Sequence, residues 1–421
     1  MNNVQLITRA IEPIYHSNTR TRFKLNALNT GILPNLRLCN ISISDVVGGD
    51  VPAYYGKTAG VLGLIKRITL SEKGNPIEDL SMNAAEYMTF LNSIDSQDNA
   101  TSMRQYTVKA RKSIVTEVDL INQIGGLIPI DDTVCAISTI TANTSNSARL
   151  DLQQYFNFLK SEDMLVGFKD MELVIEWETA TAKIFDNSRG GGRPNVWVVD
   201  EPLLVFEEIL DKQFVAQQAL KKRGTTTAFI TPELELVQVP DTLLNIPVTT
   251  ELRLVSAKNK MVHKLLVAVH DATEGASDYS CENLSRAQPS EVWQVYVNNA
   301  QLFQSPISSE SRKLATLQDS FGTQLASWFD VRALYQNPSN QIKEGNNDID
   351  DLETGTCSYF GCDIRDIVTN LRINYTRTRD NGTGIGGNLL NLSCFMLVQK
   401  YLTYAMDGSN IISYSVTPKK M

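Results

Sequence analysis

Twice in this chain a strand-patterned stretch runs into a glycine-rich loop and out into another strand. The first copy is MELVIEWETA, the loop at Gly190–Gly192, then NVWVVDEPLLV. The second is NLRINYTRT, the loop at Gly382–Gly387, then LLNLSCFMLV, about 200 residues further on. Identity between the copies is negligible, so what repeats is pattern. A β unit used twice is the simplest account of it. At 421 residues the chain has the length for two such units, each burying its own core.

The rest of the chain supplies the strands. RFKLNAL, NLRLCNISIS and LGLIKRITLSEKG read as β structure, with a turn at GNP (74–76). In NLRLCNISIS, Leu36 and Leu38 are in step but Ile41 and Ile43 are shifted by one. Either a β-bulge resets the register or the strand is buried on both faces. The segments 82–93, 147–161 and 309–322 have helical spacing. Two strands flanking Ala257–Lys260 predict a hairpin, and EVWQVYVNNAQLF predicts another, turning at Asn298-Asn299. Residues 1–21 are locally basic, with Arg9 and Arg20 against Glu12, and read as an N-terminal arm. It is either a solvated tail or a segment that docks on a neighbour or faces nucleic acid.

The joint between the halves lies in Asp200–Asn245. Asp211–Lys222 is predicted helical, with cations in its last turn and Gly224 to stop it. ELELVQV alternates like a half-buried strand, and Pro240 and Pro247 bracket a short link. The expected organisation is an arm (1–21), a first unit (22–240) and a second unit (241–421). Many strands and few short helices in each make this an all-β chain of two consecutive eight-stranded jelly-roll β-sandwiches.

No chemistry rises from the motifs, so no catalytic, cofactor or metal residue is assigned. Gly382, Gly384 and Gly387 satisfy G-x-G-x-x-G, but a strand pattern follows where a dinucleotide site needs a helix. His16, His263 and His270 form no HxH or HExxH motif. The six cysteines include one close pair, Cys357 and Cys362, at a spacing that fits no common zinc site, so buried free thiols are expected. Glu172, Glu176 and Glu178 share one strand face, the mark of solvent-facing positions. Asp348, Asp350, Asp351 and Glu353 fall in one polar loop without EF-hand spacing; solvation is the expected outcome, with a calcium site as the alternative. The net charge of −8 argues against a general nucleic-acid-binding surface. The N-terminus lacks a signal-peptide core, and LLVAV and CFMLV are too short to span a bilayer.

Several stretches together resemble the double jelly-roll major capsid proteins of tailless icosahedral double-stranded DNA viruses, most of all those of virophages and polinton-like viruses. They are SEVWQVYVNNAQLFQSPISSES, SYFGCDIRDIVTNLRINYTRTR, LVFEEILDKQFVAQQ with TPELELVQVP, and ARLDLQQYFNFLKS with MELVIEWE. As an order of elements the likeness runs from about Arg22 to Val416. It implies a non-enzymatic shell protein, with no cofactor or small-molecule substrate. Homotrimeric pseudo-hexagonal capsomers would tile an icosahedral capsid around the genome. The implied partners are further copies of this chain, penton and other minor capsid proteins and, through the arm, the genome or an internal membrane. The implied location is the virion capsid, assembled inside the host cell. The competing expectation is a β-sandwich that binds glycans or a receptor, spike- or lectin-like, with Trp328 and Tyr335 as candidate platform residues.

Overall fold

The computed structural model describes residues 5–47, 53–55, 60–80, 84–94, 136–137, 148–186, 196–240, 247–271, 291–321, 359–377, 389–407 and 410–418. The Gly-rich loops, the acidic loop, Trp328, Tyr335, Cys135, Cys281 and Cys357 lie outside them.

The first eight principal strands are β1 (Leu6–Ile11), β2 (Arg20–Leu25), β3 (Arg37–Ile41), β4 (Ile65–Glu72), β5 (Asn75–Leu80), β6 (Ala148–Asp151), β7 (Met171–Trp177) and β8 (Leu203–Ile209). They form two antiparallel sheets, β1-β8-β3-β6 and β2-β7-β4-β5. The next eight are β9 (Thr226–Pro240), β10 (Val248–Leu254), β11 (Lys260–Asp271), β12 (Val292–Val297), β13 (Ala300–Gln301), β14 (Tyr359–Val368), β15 (Leu371–Arg377) and β16 (Leu389–Asp407). Their sheets are β9-β16-β11-β14 and β10-β15-β12-β13. Every neighbour in the first set has its counterpart eight strands later in the second. Shorter strands flank these sheets, and Asn410–Pro418 pairs with the end of β16. Four helices matter below: α1 (Ala84–Ile94), α2 (Asn157–Ser161), α3 (Lys212–Lys222) and α4 (Glu310–Phe321).

Local chemistry explains several turns. Lys73 (φ 50°) and Gly74 (φ 78°) join β4 to β5, and Asn298 (φ 51°) and Asn299 (φ 68°) join β12 to β13. Both are two-residue hairpins needing positive φ, which Gly and Asn supply at least cost. The shifted parity in NLRLCNISIS is a bulge at Asn40 (φ 59°). Its register against β6 slips there, so Leu38 and Ile41 are both buried although three residues apart.

Four expectations change. Leu6–Ile11, read as arm, is β1, paired along its whole length with β8. As an edge strand it shows polar side chains to water, so its sequence looks like a tail. Thr226–Pro240, read as the end of the first unit, pairs residue for residue with Leu389–Thr403 of β16 and so opens the second roll. Strand pairing therefore divides the rolls at α3. Pro240 and Pro247 bracket the β9–β10 connection instead, and proline is tolerated there because β9 is an edge strand. The strands flanking Ala257–Lys260 make no hairpin: β10 pairs with β15 and β11 with β14 and β16, so the turn crosses between sheets. Finally, the segment 147–161 is α-helical only at Asn157–Ser161, after a 3-10 turn at Leu152–Gln154, because Ala148–Asp151 is drawn into the sheet as β6.

The two central strands of the second roll's β9-β16-β11-β14 sheet, β16 and β11, are buried on both faces. In β16, Leu392, Cys394, Met396 and Val398 point into the second sandwich, while Phe395 and Leu397 join the core shared with the first roll. In β11, Leu265, Val267 and Val269 point inward and Leu266 and Ala268 outward. That is why LLVAV and CFMLV are continuous apolar runs rather than alternating ones.

Candidate functional site

The most built feature outside the two sandwich interiors is the joint. Asp211 starts α3 by accepting hydrogen bonds from the backbone N–H groups of Gln213 (3.0 Å) and Phe214 (3.1 Å). Lys221 and Lys222 stand in the last turn, where the helix dipole favours cations. The chain then turns at Gly224 (φ 70°), whose N–H donates to the Tyr404 carbonyl at 3.0 Å, and enters β9.

A polar cluster closes this joint. Glu162, just after α2, is only 2% exposed. Its Oε1 accepts from Tyr404 Oη and Thr227 Oγ1, each at 2.7 Å, and its other oxygen meets Lys222 Nζ. Lys222 also donates to the Met164 carbonyl at 2.6 Å. One carboxylate thus ties the first roll to the link helix and to two strands of the second. Its burial is tolerable because charge and hydrogen bonds are both matched. Burial beside this carboxylate raises the Tyr404 hydroxyl well above its ordinary pKa, so it stays a donor.

Aromatic side chains line the rest of the seam. Ring centroids lie 5.4 Å apart for Tyr87–Phe395, 5.1 Å for Phe90–Tyr359, 5.6 Å for Phe158–Phe229 and 6.0 Å for Phe168–Tyr404. In each pair the first residue belongs to the first roll and the second to the other. Such pairs add about 1 kcal/mol each beyond the area they bury.

The acidic, histidine and cysteine side chains are engaged structurally. Glu172 pairs with Arg22 and Glu176 with Arg67 on a solvated cross-strand ladder. Glu178 differs from expectation: it lies past the end of β7, is buried, and accepts from the Thr179 and Ala180 N–H groups. His16 bridges Thr21 and the Val199 carbonyl, and His263 contacts Gln399. Cys362 and Cys394 are buried free thiols, and Cys39 is half-buried. Among the described residues no group of three His, Cys, Asp or Glu side chains is set to hold a metal, and no helix is long and apolar enough to cross a membrane. The Glu162 cluster was missed in the sequence because its members are scattered along the chain.

No family model matches this sequence, and no curated protein matches it. Solved structures do. The crystal structure of the mavirus major capsid protein matches with a TM-score of 0.56 at 10% identity, over 98% of this chain and 90% of that one. The chain is a double jelly roll. The Sputnik virophage structure matches equally, at TM-score 0.56 and 10% identity, over 98% of this chain and 88% of that one. The Faustovirus major capsid protein follows at TM-score 0.55 and 8% identity, covering 96% and 91%. The double jelly roll is thus shared across nearly full length at 8–10% sequence identity.

Strand order also gives this double jelly roll two unlike ends. Successive strands reverse, so connections alternate between ends. Among the described residues, one end is where β3, β5, β7, β11, β13 and β15 finish, and it holds Ile43–Val47, Ala53–Tyr55 and Gly60–Leu64. The other carries tight turns at 73–74, 255–259, 298–299 and 369–370, the segments 26–36 and 152–170, and the link through α3.

Proposed function

We propose that this double jelly roll is a major capsid protein. Three copies form a pseudo-hexagonal capsomer of six rolls, and capsomers tile an icosahedral shell around a double-stranded DNA genome. The observation that carries this reading is the pair of matched rolls fixed to each other by a buried joint. A ring of near-equivalent blocks needs each chain to present two of them in one set orientation. The fold shared with viral major capsid proteins supports the same reading.

The ends then take different roles. The end at which β3, β5 and β7 finish faces outward, where receptors or neighbouring particles are met. The flat end, with exposed Lys221 and Arg223 at the link, faces the packaged genome. Penton and minor capsid proteins would close the vertices. The chain acts through its surfaces and needs neither cofactor nor substrate.

Light scattering on the eluting protein and electron microscopy test this. A trimer that builds hexagonally arrayed shells is expected. A stable monomer at micromolar concentration, with no higher assembly, would overturn it.

A further inference from the structure

The chain carries a net charge of −8, yet its cations are not spread evenly. The tight-turn end of the first roll is built from the close of β2, the β4–β5 hairpin, the segment 152–170 and the exit of α3. On these segments Lys24, Lys73, Lys160, Lys169, Lys221 and Arg223 are exposed, against one exposed carboxylate, Asp163. The other carboxylates there are occupied. Asp170 is half-buried and takes Lys24 Nζ at 2.7 Å. Glu72 is buried and accepts from the Lys169 and Asp170 N–H groups, at 3.3 and 3.2 Å. Glu162 is buried in the joint.

Hydrogen bonds hold these cations in place. The Lys73 N–H, in the hairpin turn, donates to the Asp170 carbonyl at 3.1 Å. That sets Lys73 beside Lys169 and, through the Asp170 carboxylate, beside Lys24. The hydrogen bond from Lys24 draws the Asp170 carboxyl below its ordinary range, and the charges of Lys169 and Lys73 add to the pull, so the three lysines share one field. Further back on the same segment, Lys222 donates to the Met164 carbonyl at 2.6 Å. This lays the last turn of α3, with Lys221 and Arg223 exposed, against the stretch that follows Lys160.

We propose that this end of the first roll binds the phosphate backbone of double-stranded DNA, as a fixed platform of lysine and arginine that reads charge and not sequence. The proposal rests on the capsid reading, which supplies the ligand, and names the groups that meet it. Two observations select duplex phosphate among polyanions. Single strands are held by rings that stack on bases, and no aromatic side chain on these segments is exposed: Tyr155, Phe156, Phe158 and Phe168 are all buried. A lipid surface is held by apolar side chains that enter it, and on these segments Leu220 alone among large apolar residues is exposed. What is left is charge at fixed positions, which suits a stiff row of phosphates. The acidic remainder of the surface repels those phosphates, so the net charge of −8 turns this end, and no other, toward them.

Fluorescence anisotropy of the full-length protein with a short duplex of mixed sequence tests the platform. Affinity should fall about tenfold or more between about 50 and about 200 mM NaCl, as counterion release at several phosphates requires. Two double variants are compared with wild type: Lys73→Gln with Lys169→Gln, and Lys221→Gln with Arg223→Gln. Each should weaken binding about tenfold at low salt and flatten the log–log salt slope by about 2. Arg253→Gln, exposed on β10, is the control and should bind as wild type does. Circular dichroism checks that each variant folds. Should one pair unfold, the other decides.

Binding that ignores salt, or that both double variants keep at full strength, overturns the platform; if wild type still assembles by light scattering, the capsid reading stands without it. Capture by vesicles of phosphatidylcholine and phosphatidylserine, with no binding of duplex, overturns it in favour of a lipid headgroup surface. Wild type that never assembles ends the capsid reading, and the packaged genome with it as the ligand.

Discussion

On the second roll, the outer face of β9-β16-β11-β14 carries Phe395, Leu397, Leu266 and Tyr359, all buried under the first roll and the second roll's own helix α4. On the first roll, the same face of the same fold carries Ala10, Val205, Arg37, Cys39 and Asp151, half-buried or exposed. One face meets its partner in the same folding event, so it can hold large apolar groups that water would never tolerate bare. The other meets water in the single chain. It uses small and β-branched apolar residues with ion-paired arginines, which are stable in water and still able to pack. Equivalent position in the fold therefore does not mean equivalent chemistry. The difference follows from which face is covered within the chain.

The largest test of this contrast places the same charge on both faces. Phe395→Arg buries an unpaired cation in the seam and should cost about 4 kcal/mol or more, enough to abolish cooperative folding or soluble expression. Val205→Arg has water within reach of its guanidinium and should change the stability of the isolated chain by less than about 1 kcal/mol. Chemical denaturation of both variants measures this. Equal losses would mean the first roll's face is covered within the chain after all, and the contrast would be gone.

How much of this was legible beforehand depended on whether the signal was local. The helix Asp211–Lys222 announced itself by its cap and its cations, and the Asn298-Asn299 turn by its residue types. The bulge at Asn40 was visible because Leu38 and Ile41 break parity. The repeat itself was readable, since β7 and β15 stand at matching places in the two halves. What was not readable was which strand pairs with which. Thr226–Pro240 alternates properly but carries nothing to say that its partner is β16 of the second roll rather than a strand of the first. β1 hid for a related reason: an edge strand needs only one apolar face, so Ile7 and Ile11 between polar residues looked like a tail. The joint was least legible. Glu162, Lys222, Thr227 and Tyr404 meet only through the tertiary fold, and no spacing rule links them.

A second test uses a carboxyl group on the covering side of the seam. Glu78, in β5, is fully buried and accepts from the N–H groups of Asn157 (3.2 Å) and Phe158 (2.8 Å) at the start of α2. Burial pushes its pKa up to about 7, against the opposing pull of those N–H groups and of Lys160 and Lys400; Tyr87 lies beside it. The folded state therefore holds this proton more tightly than the unfolded chain, whose Glu titrates near its ordinary value. Its stabilising contribution is complete below about pH 4.5 and is lost as pH rises through about 7, an effect of roughly 3 kcal/mol at most. Melting temperature should fall from pH 5 to pH 8 in wild type, and Glu78→Gln should flatten that slope. The second roll has no counterpart, because β13 is two residues long. An unchanged slope in Glu78→Gln would assign the pH dependence elsewhere.

The smallest test compares two tyrosines that look alike. Tyr404 Oη donates to Glu162 at 2.7 Å, and Tyr375 Oη donates to Glu291 at 2.7 Å. Each carboxylate also has a lysine: Lys222 for Glu162, and Lys313 at 3.2 Å for Glu291. Removing either hydroxyl weakens a charge-assisted hydrogen bond and should cost about 2 kcal/mol. What differs is where the loss is felt. Glu291, Lys313 and Tyr375 all belong to the second roll, whereas the Tyr404 bond crosses the joint. Tyr404 also brackets the chain as it leaves α3, through its carbonyl to the Gly224 N–H and its N–H to the Thr225 carbonyl, at 3.0 and 3.1 Å. Tyr404→Phe should therefore speed amide hydrogen exchange at Gly224 and across the start of β9, where sub-global opening of the two rolls would begin. Tyr375→Phe should leave exchange there at the wild-type rate while lowering protection in β12 and β15. If both variants loosen Gly224 alike, the rolls open as one cooperative unit and Glu162 is no more than one of many contacts. If only Tyr404→Phe does, the carboxylate is what holds two separately formed sandwiches in one orientation, and the covered face owes its burial to that tie as well as to its aromatic side chains.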